Sequence, residues 1–164
     1  GIDIRILSRE LKNLLEKNIL DYKEKGKLKL YFIKNNINAE YHLILAEIYR
    51  TNLFLEKNKI FAYHLEKLDK IADFIIFGSY ANNTNTKKSD LDIVIFSKEI
   101  NEINEIISEM PVEVQKHFIS FEKFEDLFEK NNYLVQEILR KHVLFGKQKE
   151  IIRMLKRWKR SDGA

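Results

Sequence analysis

Between Asp73 and Ser97 the chain reads DFIIFGSYANNTNTKKSDLDIVIFS, two apolar runs of strand type enclosing a polar loop. The first run ends on Gly78-Ser79 and the second opens on Asp90-Leu91-Asp92. Side chains alternate along a strand, so Asp90 and Asp92 share one face while Leu91 and Ile93 turn to the core. Two neighbouring carboxylates repel and lose hydration, so the pattern calls for a cation between them. Mg²⁺ suits, because it takes oxygen ligands and is held by one or two carboxylates together with substrate phosphates. Gly78 permits a sharp turn that brings backbone N–H groups to a ligand, and Ser79 adds a hydroxyl. A turn of this kind beside a metal-holding pair is a site for a polyphosphate.

Glu113 lies in Val-Glu-Val on the next strand-like run, VEVQKHFIS. Val112 and Val114 belong to the core side, so Glu113 is expected on the face of Asp90 and Asp92. Three carboxylates from two strands could hold two metal ions, or the third could take a proton from an attacking hydroxyl. That set supports in-line phosphoryl or nucleotidyl transfer.

The rest of the chain bounds these readings. Its 164 residues, 45% hydrophobic and 33% charged, suit one ordinary domain with a small appendage. With no cysteine, disulfides and thiolate zinc sites are excluded. The histidines His42, His64, His117 and His142 have no metal-ligand spacing. No apolar run reaches the roughly 18 residues needed to span a bilayer, and the first residues lack the apolar core of a signal peptide, so the chain reads as cytoplasmic with no membrane partner. Net charge is +4, which permits nucleic acid without requiring it. Gly1 stands where an initiator Met is expected, which leaves the natural start open.

Ser8 reads as the cap of a helix through RELKNLLEKNI, and KEKGKLK as a hairpin turning at Lys25-Gly26. Helical periodicity runs from Asn38 to about Ile71, broken near residues 56–59. The segment at 39–55 is apolar on more than one face, which suits a helix packed between two parts or a homodimer interface. After the two strands come an amphipathic helix striped by Ile100, Ile103, Ile106 and Ile107, a stop at Pro111, the third strand, and three helices, with Gly146 punctuating the last two. Trp158 in RMLKRWKR reads as core, with the surrounding charges solvated. The expected class is α+β: a small mixed sheet with flanking helices, preceded by a helix and hairpin and a connecting helix. Boundaries are expected at 1–36, 37–58 and 59–164.

FGSYANNTNTKKSDLDIVIF resembles the signature of the minimal nucleotidyltransferases of the DNA polymerase β superfamily: Gly-Ser, ten intervening residues (here Tyr80 to Ser89), then Asp-x-Asp. The resemblance extends to about Gly146 and includes the close on Leu-Phe-Gly. It implies that Gly78 and Ser79 bind the nucleoside triphosphate, ATP by analogy. It implies that Asp90 and Asp92 bind Mg²⁺, two ions in all, with Glu113 the third carboxylate and base. Many such proteins are antitoxins that add AMP to a tyrosine of a partner ribonuclease toxin of the HEPN type.

Residues 1–36 resemble the turn, recognition helix and wing of an archaeal winged helix-turn-helix, without the two helices that normally precede them. In an intact module Arg9, Lys12 and Asn13 would face the major groove, and Lys25, Lys27 and Lys29 would touch phosphates. The rival reading is therefore a DNA-binding regulator whose nucleotidyltransferase fold senses nucleotide or docks a partner. Nucleotidylation of a small molecule is a third, but it needs an acceptor pocket that a short chain struggles to build.

Overall fold

The structure is a computed structural model that describes residues 3–130 and 132–158, with side chains described as far as residue 155. Gly1 and the Trp158 side chain, on which two sequence readings fall, lie outside the described residues. The chain divides into two compact units between Ala46 and Glu47.

The first unit opens with α1 (Ile4–Glu16). Its cap is Asp3, whose carboxylate accepts from Arg5 N at 2.8 Å. The expected cap, Ser8, sits inside the helix, where its hydroxyl donates to Ile4 O at 2.8 Å. Apolar periodicity starts before Ser8, at Ile4, so an acidic residue one step earlier takes the capping role. The strands β1 (Leu20–Lys25) and β2 (Leu28–Ile33) follow as an antiparallel hairpin closed by the pair Lys25↔Leu28. The turn is Gly26-Lys27, one residue later than expected, with Gly26 at φ +62°. Asn36 begins the next helix, accepting from Ala39 N at 2.8 Å and donating to Asn18 O at 2.8 Å. That helix, α2 (Ile37–Lys57), crosses the division between the units.

The second unit continues with a 3-10 turn (Lys59–Phe61), α3 (Ala62–Asp69), β3 (Asp73–Phe77), α4 (Gly78–Asn82), β4 (Leu91–Phe96) and α5 (Ile100–Ser108). It ends with β5 (Val114–Phe118), α6 (Phe121–Glu129), α7 (Tyr133–Arg140), β6 (Val143–Phe145) and α8 (Gln148–Trp158). The sheet order is β5-β4-β3-β6, with β4 parallel to β5 and the other pairs antiparallel. This is the expected α+β fold on a small mixed sheet. The additions are β6, only three residues long and read from sequence as part of the closing helices, and the five-residue α4.

Strand alternation explains why the sheet is covered on both faces. Phe74, Ile76, Leu91, Ile93 and Ile95 are buried in one cluster with Leu65 and Leu68 of α3 and Ile103, Ile106 and Ile107 of α5. The intervening residues Ile75, Val94 and Phe96 are buried too, and Phe96 stacks on Phe121 at 4.3 Å and meets Phe124 edge-on at 5.3 Å. The continuous apolar runs in β3 and β4 are the sequence trace of this two-sided burial. The open edge of β6 is covered by α2, where Thr51 Oγ1 lies 2.8 Å from Leu144 O.

Candidate active site

The polar residues cluster where β3 ends and β4 begins. Antiparallel pairing sets Phe77 opposite Asp92, so the Gly-Ser turn and the Asp-x-Asp segment meet at one end of the sheet. Gly78 opens α4 directly after the strand at φ +66°, a left-handed conformation that L side chains avoid. A β-carbon there would land on Asp92 Oδ2, with Asp92 Cγ at 3.0 Å. The helix is anchored from below by buried Tyr80, whose ring meets Phe61 edge-on at 5.4 Å. Its far end is fixed by Asn83 at φ 57°, whose side chain accepts from Lys57 Nζ at 2.9 Å, and by Thr84 N donating to Ser79 O at 3.0 Å.

Asp92 lies within β4 and is half-buried, while Asp90 stands exposed just before the strand. Burial pushes the Asp92 carboxyl above its ordinary range, and the Asp90 charge pushes it the same way. His117 opposes the rise, and Glu137 of α7 adds to it. A cation between the aspartates would relieve both the lost hydration and the repulsion, so the pair fits a divalent ion that takes its remaining ligands from a nucleotide's phosphates. Magnesium bound there would offset the charge of a triphosphate.

Glu113 lies one residue before β5 and is exposed. Its carbonyl accepts from Leu91 N at 2.8 Å, which places its backbone beside the start of β4. Val112 and Val114 pack against the core. Among the described residues, however, no three His, Cys, Asp or Glu side chains are grouped to hold a metal ion. Parallel register pairs Leu91 with Val114 and Asp92 with Gln115, so Glu113 falls beside Asp90 at the same end of the sheet.

Two neighbours were not legible as site residues. His117 follows from strand register, which the sequence does not print, and Glu137 from the packing of a helix more than forty residues downstream. Lys87 and Lys88 are exposed in the loop.

In the first unit, Arg9 pairs with Glu10 at 3.2 Å, Lys12 with Glu16 at 3.8 Å and Lys29 with Glu24 at 4.0 Å. Lys29 also lies 4.3 Å over the Tyr22 ring. Lys25 and Lys27 are exposed at the hairpin tip and Asn13 is half-buried. Three of the six proposed DNA contacts therefore already have acidic partners.

Residues 58–161 match the nucleotidyltransferase domain family. The chain belongs to the nucleotidyltransferases. A Methanocaldococcus jannaschii protein named "Putative protein adenylyltransferase" is 33% identical over 85 residues, covering 51% of this chain and 63% of that relative. The match thus spans less than two thirds of the relative's own length. No solved structure matches. Among the described residues no helix is long and apolar enough to cross a membrane.

Proposed function

We propose that this nucleotidyltransferase is a Mg²⁺-dependent protein adenylyltransferase that moves AMP from ATP to a tyrosine hydroxyl of a HEPN-type toxin, in an antitoxin role. The observation that carries the reading is the close packing of the Gly78 turn against Asp92, in a chain with the nucleotidyltransferase domain. A relative named as a protein adenylyltransferase supports the acceptor class.

In this reading Asp90 and Asp92 hold magnesium, two ions with the nucleotide, and the ions supply charge neutralisation for the triphosphate. The Gly78-Ser79 turn fixes the β and γ phosphates through its N–H groups and hydroxyl. The acceptor oxygen attacks the α-phosphorus in line, the bond from that phosphorus to the bridging oxygen breaks, and pyrophosphate leaves. Glu113 takes the hydroxyl proton, a role its exposure at the edge of the site permits.

Transfer of label from α-³²P ATP into a co-expressed neighbouring gene product tests this, run beside the Asp90→Asn/Asp92→Asn double variant. Label on the partner, absent with the double variant, is the expected result. No label from any of the four nucleotides, with salt-dependent DNA binding that survives the double substitution, would favour the regulator instead.

A further inference from the structure

The four-stranded sheet ends on β5, which pairs with β4 on one side and with no strand on the other. Main-chain bonds at the two ends of β5 fix which of its groups look outward. Leu91 N donates to Glu113 O at 2.8 Å, and Ile119 N donates to Ile95 O at 3.1 Å. Main-chain direction alternates along a strand, so Glu113, Gln115, His117 and Ile119 turn to β4. Val114, Lys116 and Phe118 therefore turn their N–H and C=O groups to the open side. Among the described residues these outward groups have no hydrogen-bond partner. Backbone donors and acceptors left open in a row are a template for another main chain.

The position of this edge gives it a use. β5 is parallel to β4, with Leu91 beside Val114 and Asp92 beside Gln115. Its first residues thus lie at the end of the sheet where Asp90, Asp92 and the Gly78 turn stand. Glu113, the proposed base, immediately precedes it. A chain added to β5 lies two strand spacings, roughly 9.6 Å, from β4. An acceptor on that chain has to reach back across β5 to the aspartates. That suits the long tyrosyl side chain and not a serine hydroxyl, one carbon from the main chain.

Charge selects the occupant. Lys116 is exposed, and its side chain has no ion pair or hydrogen bond among the described residues. Antiparallel pairing of two copies about the middle of β5 would set Lys116 against Lys116, and like charges directly opposite oppose pairing. A strand that presents a carboxylate there is attracted instead.

We propose that the open edge of β5 is the docking site of the acceptor protein. The acceptor adds an extended segment to β5, sets an acidic residue against Lys116, and brings its tyrosine past Glu113 to the aspartate pair. The proposal rests on the protein adenylyltransferase reading above and gives it a mode of recognition, strand addition, in which main-chain bonds supply affinity and side chains supply specificity.

The test uses Lys116→Pro and Lys116→Glu. Proline is accepted on an edge strand where the N–H it lacks faces solvent. Lys116→Pro therefore keeps the ladder to β4, removes an outward donor and blocks an added strand with its ring. Lys116→Glu keeps every backbone group and reverses the charge. Label transfer from α-³²P ATP is measured at rising concentrations of the purified neighbouring gene product. Thermal stabilisation by Mg²⁺ with the α,β-methylene analogue of ATP reports on the nucleotide site alone. The half-saturating acceptor concentration is expected to rise about tenfold in both variants, with stabilisation by nucleotide as in the native chain. In the native chain, hydrogen exchange at the Val114, Lys116 and Phe118 amides slows when acceptor is added, and this measurement carries the test if Lys116→Pro does not fold. A loss in Lys116→Pro alone keeps the docking edge and overturns its charge preference. If both variants fold and label the acceptor with native half-saturation, or if acceptor leaves exchange at the three amides unchanged, the docking edge is wrong and the adenylyltransferase reading stands. If the native chain labels no protein from any of the four nucleotides, both fall together.

Discussion

Gly78 and Asp92 are in contact across the end of the β3–β4 pair, so tightly that glycine is the residue the position accepts. Its φ of +66° and the volume held by the Asp92 carboxylate are separate constraints that converge on one atom, the missing β-carbon. The turn and Asp92 are therefore one structural element, although fourteen positions separate them in the chain.

Gly78→Ala is expected to lower transfer activity about 100-fold, because displacing Asp92 by an ångström would misplace the ion proposed to bind there. The left-handed backbone alone adds roughly 1–2 kcal/mol of destabilisation. Gly26→Ala is the control: its φ is +62° with nothing within 4 Å of the added carbon, so it shares the backbone cost and leaves activity intact. Urea unfolding and label transfer measured on both variants separate the two effects.

The raised Asp92 carboxyl gives a stability signature in metal-free protein. A folded value above the ordinary 3.8 means the folded chain holds the proton more tightly than the unfolded chain. The contribution is present below the unfolded value and is lost as pH rises through the folded one. Asp92→Asn should remove that part of the decline and raise the metal-free melting temperature at neutral pH, while abolishing stabilisation by Mg²⁺ with nucleotide. Asp69 is raised by burial in the same direction, so its own share of the decline persists in Asp92→Asn. Melting curves at several pH values, with and without Mg²⁺ and nucleotide, test the sign. A fall in metal-free stability at neutral pH on Asp92→Asn would contradict it.

Asp73 ties the first sheet strand to the start of the last helix. Its Oδ1 accepts from Lys147 N at 2.7 Å, its Oδ2 lies 3.7 Å from Lys147 Nζ, and Gly146 at φ +81° packs against its backbone, with Asp73 Cα at 2.9 Å from where a β-carbon would sit. Asp73→Ala leaves that N–H without its acceptor and is expected to destabilise the fold by about 1–2 kcal/mol. Hydrogen exchange should show faster opening of the Gly146–Glu150 segment, with the rate of transfer at saturating nucleotide little changed.

Thr51 is buried with its hydroxyl between Glu47 O at 3.0 Å and Leu144 O at 2.8 Å. One hydroxyl hydrogen serves one of them, and the shorter contact is the link to β6. Thr51→Val keeps the shape and removes the donor, for an expected loss of about 1 kcal/mol. In a chain of this size that lowers the melting temperature by about 2–4 °C.

Local pattern determined much of this protein. Gly-Ser, ten intervening residues and Asp-x-Asp between runs of Ile, Phe and Val set out the strand, turn and strand, and the Ile stripe set out α5. Glycine's left-handed backbone and the period of a strand act over a few residues, so they can be read before any fold is known. The helix cap is Asp3 rather than Ser8 because periodicity begins at Ile4, which is also a local matter. The short β6 was not legible, because three residues carry no period and become a strand only by pairing with β3. Tertiary structure alone decided the surroundings of Asp92. Parallel register in β5 brings His117 to its face, and helix packing brings Glu137 within reach of its charge. Those placements depend on which strands pair and which helices cover them, and pairing is settled by burial of the whole sheet rather than by any residue's neighbours in the chain.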